Sequence, residues 1–73
     1  METFTITSDY IELIKLLKAS GLCGSGGAAK AAVEEGLVNV DGQVEYRKRC
    51  KIRHGQKVVF LDQEILIEFS LQG

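Results

Sequence analysis

Phe4 and Ile6 alternate with Thr3, Thr5 and Thr7, a period of two with β-branched content that predicts a short first strand. The period then lengthens. Tyr10, Leu13, Ile14 and Leu17 recur at i, i+3, i+4 and i+7, Asp9 and Glu12 have the spacing of a capping box, and Gly21 supplies a stop. These signals predict a first helix from about Tyr10 to Ser20 with its apolar stripe in the core. Residues Gly21 to Gly27 form a turn-rich link. Ser25 is the natural N-cap of a second helix from about Gly26 to Glu35, with Ala29, Ala32 and Val33 facing inward. Gly36 ends that helix in the left-handed position, and Leu37 folds back onto its last turn.

Alternation resumes at Val38 and Val40 and runs into Asp41-Gly42, a strong two-residue hairpin signal, after which Val44 returns on the partner strand. His54-Gly55-Gln56 marks a further turn, Lys57 to Leu61 a strand, Asp62-Gln63 a hairpin turn, and Ile65, Ile67 and Phe69 one face of a last strand. The expected fold is therefore α+β, two short helices packed on a small antiparallel sheet. The 73 residues contain no proline and are 45% apolar, so residues 1–73 read as a single small domain. Fraying is expected at Leu71, Gln72 and Gly73.

Charge changes this picture. The net charge is −1, yet six of the nine Lys and Arg residues fall between Arg47 and Lys57. Net charge governs solubility, whereas a local cationic surface attracts and orients a phosphate backbone. If residues 47 to 53 are extended, Arg47, Arg49, Lys51 and Arg53 share one face at roughly 6.6 Å spacing, with Lys48, Cys50 and Ile52 on the other. Such a cationic ladder repels itself unless a polyanion or much water relieves it. The alternative is an edge strand protected by charge against aggregation; the three arginines, whose planar forks suit bidentate phosphate contact, favour a functional surface.

A second anion site is suggested at the start of helix two. There the amides of Gly26 and Gly27 have no partner in their own helix, the helix dipole adds partial positive charge, and Lys30 lies one turn in. The alternative is an ordinary loop and cap. The segment is not a P-loop, because Gly27 and Ala28 stand where Lys and Ser or Thr are required. Tyr46, beside the basic run, either stacks on an unpaired base or packs on the sheet.

Catalytic constellations are missing from the pattern. His54 is the single histidine and has a turn glycine beside it, Ser25 has no identifiable base, and Glu34 and Glu35 read as solvated charges. Two cysteines and one histidine in no ligand spacing point away from zinc, and no cofactor is expected. A disulfide between Cys23 and Cys50 is open in principle but unusual in intracellular chains, and Cys50 is expected to be a small buried apolar residue. The longest apolar run, Val58 to Leu61, is far short of the ~20 residues that span a bilayer, and Glu2 stands where a leader carries basic residues. The chain is expected to be cytoplasmic, off the membrane, and a monomer.

The order of these parts carries a resemblance. A helix from Tyr10 to Ser20, a Ser25-initiated helix with Ala29-Lys30, the run from Glu35 to Gly42 (Glu-Gly-Leu-Val-Asn-Val-Asp-Gly), a basic stretch and Gly55-Gln56-Lys57-Val58 resemble the RNA-binding domain of ribosomal small-subunit protein S-four, the alpha-L RNA-binding motif. The likeness covers about residues 9 to 60. The Arg-Lys-Arg-Cys-Lys-Ile stretch is similar to that of stand-alone bacterial members. The resemblance implies an L-shaped surface of two helices and a hairpin that binds structured RNA. It implicates Ser25, Lys30, Gly36, Asp41 and Gly42 by position, Gly36 and Gly42 as backbone-geometry residues. Where many members have arginine after the helix-opening serine, this chain has Gly26, which removes a side-chain contact.

The expected function is a non-catalytic module binding structured RNA, ribosomal or ribosome-associated by resemblance. The RNA-binding residues would be Ser25, Gly26, Gly27, Lys30, Tyr46, Arg47, Lys48, Arg49, Lys51 and Arg53. A rival from another class is a protein-interaction adaptor that docks an acidic partner on the same basic face. A DNA-binding module would need a helix rich in base-reading side chains, and helix two offers Lys30 alone.

Overall fold

The architecture is that of a computed structural model, which describes residues 2–71; the fraying expected at Gln72 and Gly73 lies outside the described residues. In chain order the elements are β1 (Glu2–Ile6), β2 (Ile11–Glu12), α1 (Leu13–Ala19), α2 (Gly26–Glu34), β3 (Val38–Val40), β4 (Gln43–Val44), β5 (Lys51–Ile52), β6 (Lys57–Phe60) and β7 (Gln63–Phe69). Five strands form one sheet in the order β1-β7-β6-β3-β4, and β2 pairs with β5 in a separate two-stranded ribbon. The α+β class agrees with the sequence pattern. The main sheet, however, is mixed rather than antiparallel, because β1 runs parallel to β7 with Phe4 opposite Ile67. A period-two pattern reports a strand and its buried face; the direction of its neighbour follows from the crossover that the intervening helices make.

Helix α1 begins three residues later than its apolar spacing predicts. Ile11 and Glu12 are extended and pair with Ile52 and Lys51, and Glu12 is the N-cap, with ψ at 142° and no side-chain capping bond. The Asp9–Glu12 capping box does not form. Instead the N–H groups of Leu13 and Ile14 donate to the carbonyls of Cys50 at 2.9 Å and Lys48 at 3.1 Å, so a distant loop satisfies donors that a local side chain would otherwise serve. Helix α2 follows its expectation closely. Ser25 is extended and its Oγ accepts from Ala28 N at 3.1 Å. At the other end Gly36, at φ +74°, and Leu37 donate to Val33 and Ala32 in a Schellman arrangement.

The core lies between the helix pair and one face of the sheet. Leu13, Leu16, Leu17, Val33, Val38, Ile52, Val58 and Ile67 are fully buried, each contributing about 1.5–3 kcal/mol relative to exposure. Alanines Ala29 and Ala32 are buried on the inner face of α2, where small side chains let α1 approach closely. Asp41 and Gly42 take φ +52° and +86°, positive at both central positions as a type I′ hairpin requires. The last hairpin is shifted by one residue from its prediction. Phe60 pairs with Gln63, so Leu61 and Asp62 make the turn, with Leu61 at φ +57°. Among the described residues no helix is long and apolar enough to cross a membrane.

Candidate nucleic-acid interface

The basic run is not one strand. Residues 45 to 47 are irregular, Lys48 and Arg49 form a turn closed by Cys50 N–H donating to Arg47 O at 3.2 Å, and only Lys51 and Ile52 are strand. The four-residue ladder from Arg47 to Arg53 is thereby corrected, and with it the basic strand as a continuous surface. The cause is tertiary. The carbonyls of Lys48 and Cys50 turn toward the N-terminus of α1, and Ile52 is drawn completely into the core. Lys51 and Arg53 still share one side of the ribbon, against Tyr10, whereas Arg49 stands in the turn and Arg47 before it.

The cations of the run also differ in what holds them. Arg47 is forked onto Glu45, its Nε at 2.9 Å and Nη2 at 3.1 Å from the carboxylate, with the Arg47 backbone N–H at 2.9 Å as well. Those bonds, the guanidinium first, hold the Glu45 carboxyl at about 2. Lys48 Nζ lies 2.8 Å from Glu34 of α2 and pulls that carboxyl below its ordinary range. Arg49 Nε lies 3.1 Å from Glu12, which also takes Lys15 at 3.7 Å. Lys57 pairs with Glu64 at 3.2 Å. Three acids drawn from β2, α2 and the loop itself thus interleave with a run that has no acid in its own sequence.

Lys51 and Arg53 are held differently. Neither has an ion pair among the described residues; Lys51 Nζ sits 4.9 Å and Arg53 Cζ 5.5 Å from the centroid of the Tyr10 ring. Across the ribbon, Ile11 faces Ile52, which puts Tyr10 at the position opposite Arg53. A cation–π contact fixes these side chains without cancelling their charge. The Arg53 amide is further tied to Gln56 Oε1 at 2.8 Å, so its segment is braced on both sides.

At the start of α2, the N–H groups of Gly26 and Gly27 make no hydrogen bond among the described residues, and Lys30 has no ion pair there either. A Cβ on Gly26 would meet nothing within 4 Å, so the position is open to a ligand from outside. Gly26, Lys30 and Glu34 lie four residues apart on one exposed helix face, each step about 6 Å along the axis. Lys48 docks on Glu34 at the far end, so the amides, Lys30 and Lys48 form one line along α2. Tyr46 is 63% exposed, and its hydroxyl would lie 3.0 Å from a Cβ at Gly36. Its ring therefore rests against the end of α2.

The hairpin completes the surface. Asp41 accepts from Lys57 N–H at 2.9 Å and from Gln56 Nε2 at 3.0 Å, bonds that lower its carboxyl in that order of importance. A hollow between hairpin and basic loop is lined by Val40, Asp41, Gln43, Arg47, Cys50 and Lys51 among others. Both cysteines are free, Cys23 buried and Cys50 half-buried; burial pushes the Cys50 thiol up, with Glu45 adding to it. Among the described residues no group of three His, Cys, Asp or Glu is placed to hold a metal.

Reading by periodicity missed Tyr10, Glu12 and Lys15 as members of this surface, because Tyr10 fits the helical stripe of α1. The usable signal was Ser8-Asp9, turn formers directly before the β-favouring pair Tyr10-Ile11.

Residues 4–68 match the S4 domain family. The chain is 47% identical over 68 residues to the "Putative RNA-binding protein YbcJ" of Escherichia coli strain K12, covering 92% of this chain and 97% of that protein. It is equally similar to the uncharacterised YbcJ of Shigella flexneri. The solution structure of YbcJ from E. coli, described as revealing an αL motif involved in RNA binding, superposes with a TM-score of 0.73 at 46% identity, over 93% of this chain and 87% of that one.

Proposed function

This chain belongs to the S4 domain family, and from that premise we propose that it is a non-catalytic module that binds structured RNA. The observation that carries the proposal is the cationic surface of α2, the basic loop and the ribbon, on which Lys51 and Arg53 have no carboxylate within ion-pair distance among the described residues and Lys30 feels Glu34 only beyond that distance. These three are the principal phosphate contacts. The Gly26 and Gly27 amides, capped in place by Ser25, add an anion site. Arg47, Lys48 and Arg49 contribute from the loop; Arg47 and Arg49 are 78% and 80% exposed at the side chain and keep donors beyond those their acids occupy. Tyr46 offers an aromatic edge at the end of the helix line.

Phosphate contacts on a rigid surface favour the shape of a folded RNA over its base sequence. The target proposed is ribosomal RNA or an RNA associated with the ribosome, bound by a monomer in the cytoplasm. The likeness to the E. coli protein YbcJ, whose structure is described as carrying a motif involved in RNA binding, supports this reading.

A salt titration of binding to structured bacterial RNA and to duplex DNA of equal length, followed by fluorescence anisotropy, tests it. The expected result is tighter binding to RNA with a slope of log affinity against log salt of about 3 to 5. Absence of RNA binding at low salt, with 1:1 binding to an acidic protein, would replace it with the adaptor reading.

A further inference from the structure

We infer that the β2–β5 ribbon carries a subsite for an unpaired nucleotide of the bound RNA, with Tyr10 stacking on the base and Lys51 and Arg53 holding the flanking phosphates. The inference rests on the RNA-binding reading and goes beyond it in naming the chemical class that this part of the surface takes.

Three observations carry it. Tyr10 is 37% exposed as a residue although Lys51 and Arg53 both lie against its ring, so it is not sealed off from an outside ligand. The two cations have no carboxylate within ion-pair distance among the described residues, unlike Arg47, Lys48 and Arg49, each of which is matched by one. Beside the ring lies a hollow of 340 Å³ lined by Ser8, Tyr10, Ile11, Glu12 and Lys15, at the low end of the roughly 300–1,000 Å³ that ligand clefts occupy. The aromatic ring and the apolar edge of Ile11 belong to the hollow, while Lys51 and Arg53 lie against the same ring from outside its lining; together they offer what a splayed-out nucleotide needs, stacking for the base and positive charge for the backbone. Glu12, in the wall of the hollow, is the one acid there, and Lys15 and Arg49 both pair with it.

The ribbon is suited to the task because it is braced. Ile52 is buried between the two cations in sequence, Arg53 N–H is bound by Gln56, and Ser8 Oγ donates to Tyr10 O at 3.3 Å. The side chains are held in place before RNA arrives, so little entropy is lost on binding.

The test compares a hairpin RNA carrying a one-nucleotide bulge with a fully paired hairpin of the same length, by anisotropy. The expected result is that the protein prefers the bulged RNA about tenfold, the scale of one base–aromatic stack. Tyr10→Leu should abolish that preference while leaving the salt slope unchanged, and Tyr10→Phe should keep it. The chain has two tyrosines and no tryptophan, so Tyr46→Phe leaves Tyr10 as the sole fluorophore, and its emission should be quenched by the bulged RNA more than by the paired one. This second readout holds even where Tyr10→Leu fails to fold. Equal affinity for both RNAs with a steep salt slope, or a preference that survives Tyr10→Leu, would overturn the subsite and leave the RNA-binding reading standing; no binding of either RNA would overturn both.

Discussion

Residues 47 to 49 and residues 51 to 53 have nearly the same charge in sequence and opposite situations in the fold. The first three cations are each drawn to a carboxylate, from Glu45, Glu34 and Glu12, and the Lys48 carbonyl, with that of the adjoining Cys50, caps α1. The second segment buries Ile52 and leaves Lys51 and Arg53 against a ring. A carboxylate partner reduces the field that a phosphate would feel, while an aromatic partner positions the cation and leaves its field in place. The loop is therefore mainly a clasp between helix and ribbon, and the ribbon is where positive charge is available.

The largest expected effect separates the two segments by function. On the proposed reading, Lys51→Glu with Arg53→Glu should weaken RNA binding roughly a hundredfold, because two released counterions become two repulsions. Arg47→Gln with Arg49→Gln should weaken it less than about fivefold, as measured by anisotropy at fixed salt. Equal losses in the two double variants would erase the distinction.

The next effect asks what anchors the basic segment. Ile52→Ala should cost about 2–5 kcal/mol, by loss of transfer energy and the cavity left behind, and should lower the thermal midpoint by more than about 10 °C. Arg49→Gln, which removes only an exposed ion pair, should cost less than about 1 kcal/mol. If the two were comparable in a denaturant melt, the anchor would be ionic and not apolar.

A smaller effect concerns the anion site on α2. Ser25→Ala removes the side-chain acceptor for Ala28 N–H and should lower stability by about 1 kcal/mol, seen as a drop of several degrees in the melting midpoint. Because the cap also sets the direction of the Gly26 and Gly27 amides, RNA affinity should fall a few-fold with the salt slope unchanged.

The smallest effect is a pH dependence at the clasp. The Glu45 carboxyl titrates at about 2 when folded, against an ordinary value of 4.5. A depressed folded pKa contributes stability that is fully present above pH 4.5 and is lost as pH falls through about 2. Glu45→Gln should therefore be slightly less stable than the parent at pH 7, and the difference should shrink to nothing between pH 4.5 and 2. A difference that persisted at pH 2 would assign the effect to packing.

Much of this architecture was legible in the chain. Ser25 as cap, Gly36 as helix stop, Asp41-Gly42 as hairpin turn and the inward alanines of α2 were all readable, because each rests on local backbone geometry or on a period within a few residues. The resemblance drawn from the same signals agrees with the S4 family match. The basic run was legible as charge but not as shape. Its extended form was a reasonable reading of nine residues with no glycine or proline, yet the α1 N-terminus, the burial of Ile52 and the acids of other elements broke it at Lys48-Arg49.

The residues of this protein determine by themselves where α2 starts and stops and where α1 ends, which face of each element is apolar, and that cations gather between positions 47 and 57. Those properties depend on neighbours within a turn or a strand. Only the tertiary structure decided that β1 lies parallel to β7, that Tyr10 leaves its helical stripe to join a ribbon, and which cations meet acid and which meet a ring. Apart from the Arg47–Glu45 pair, each of those outcomes is a contact between residues fourteen or more positions apart. Electrostatic energy depends on distance and not on order along the chain, so a charged sequence becomes a charged surface only where the fold leaves it without an opposite partner.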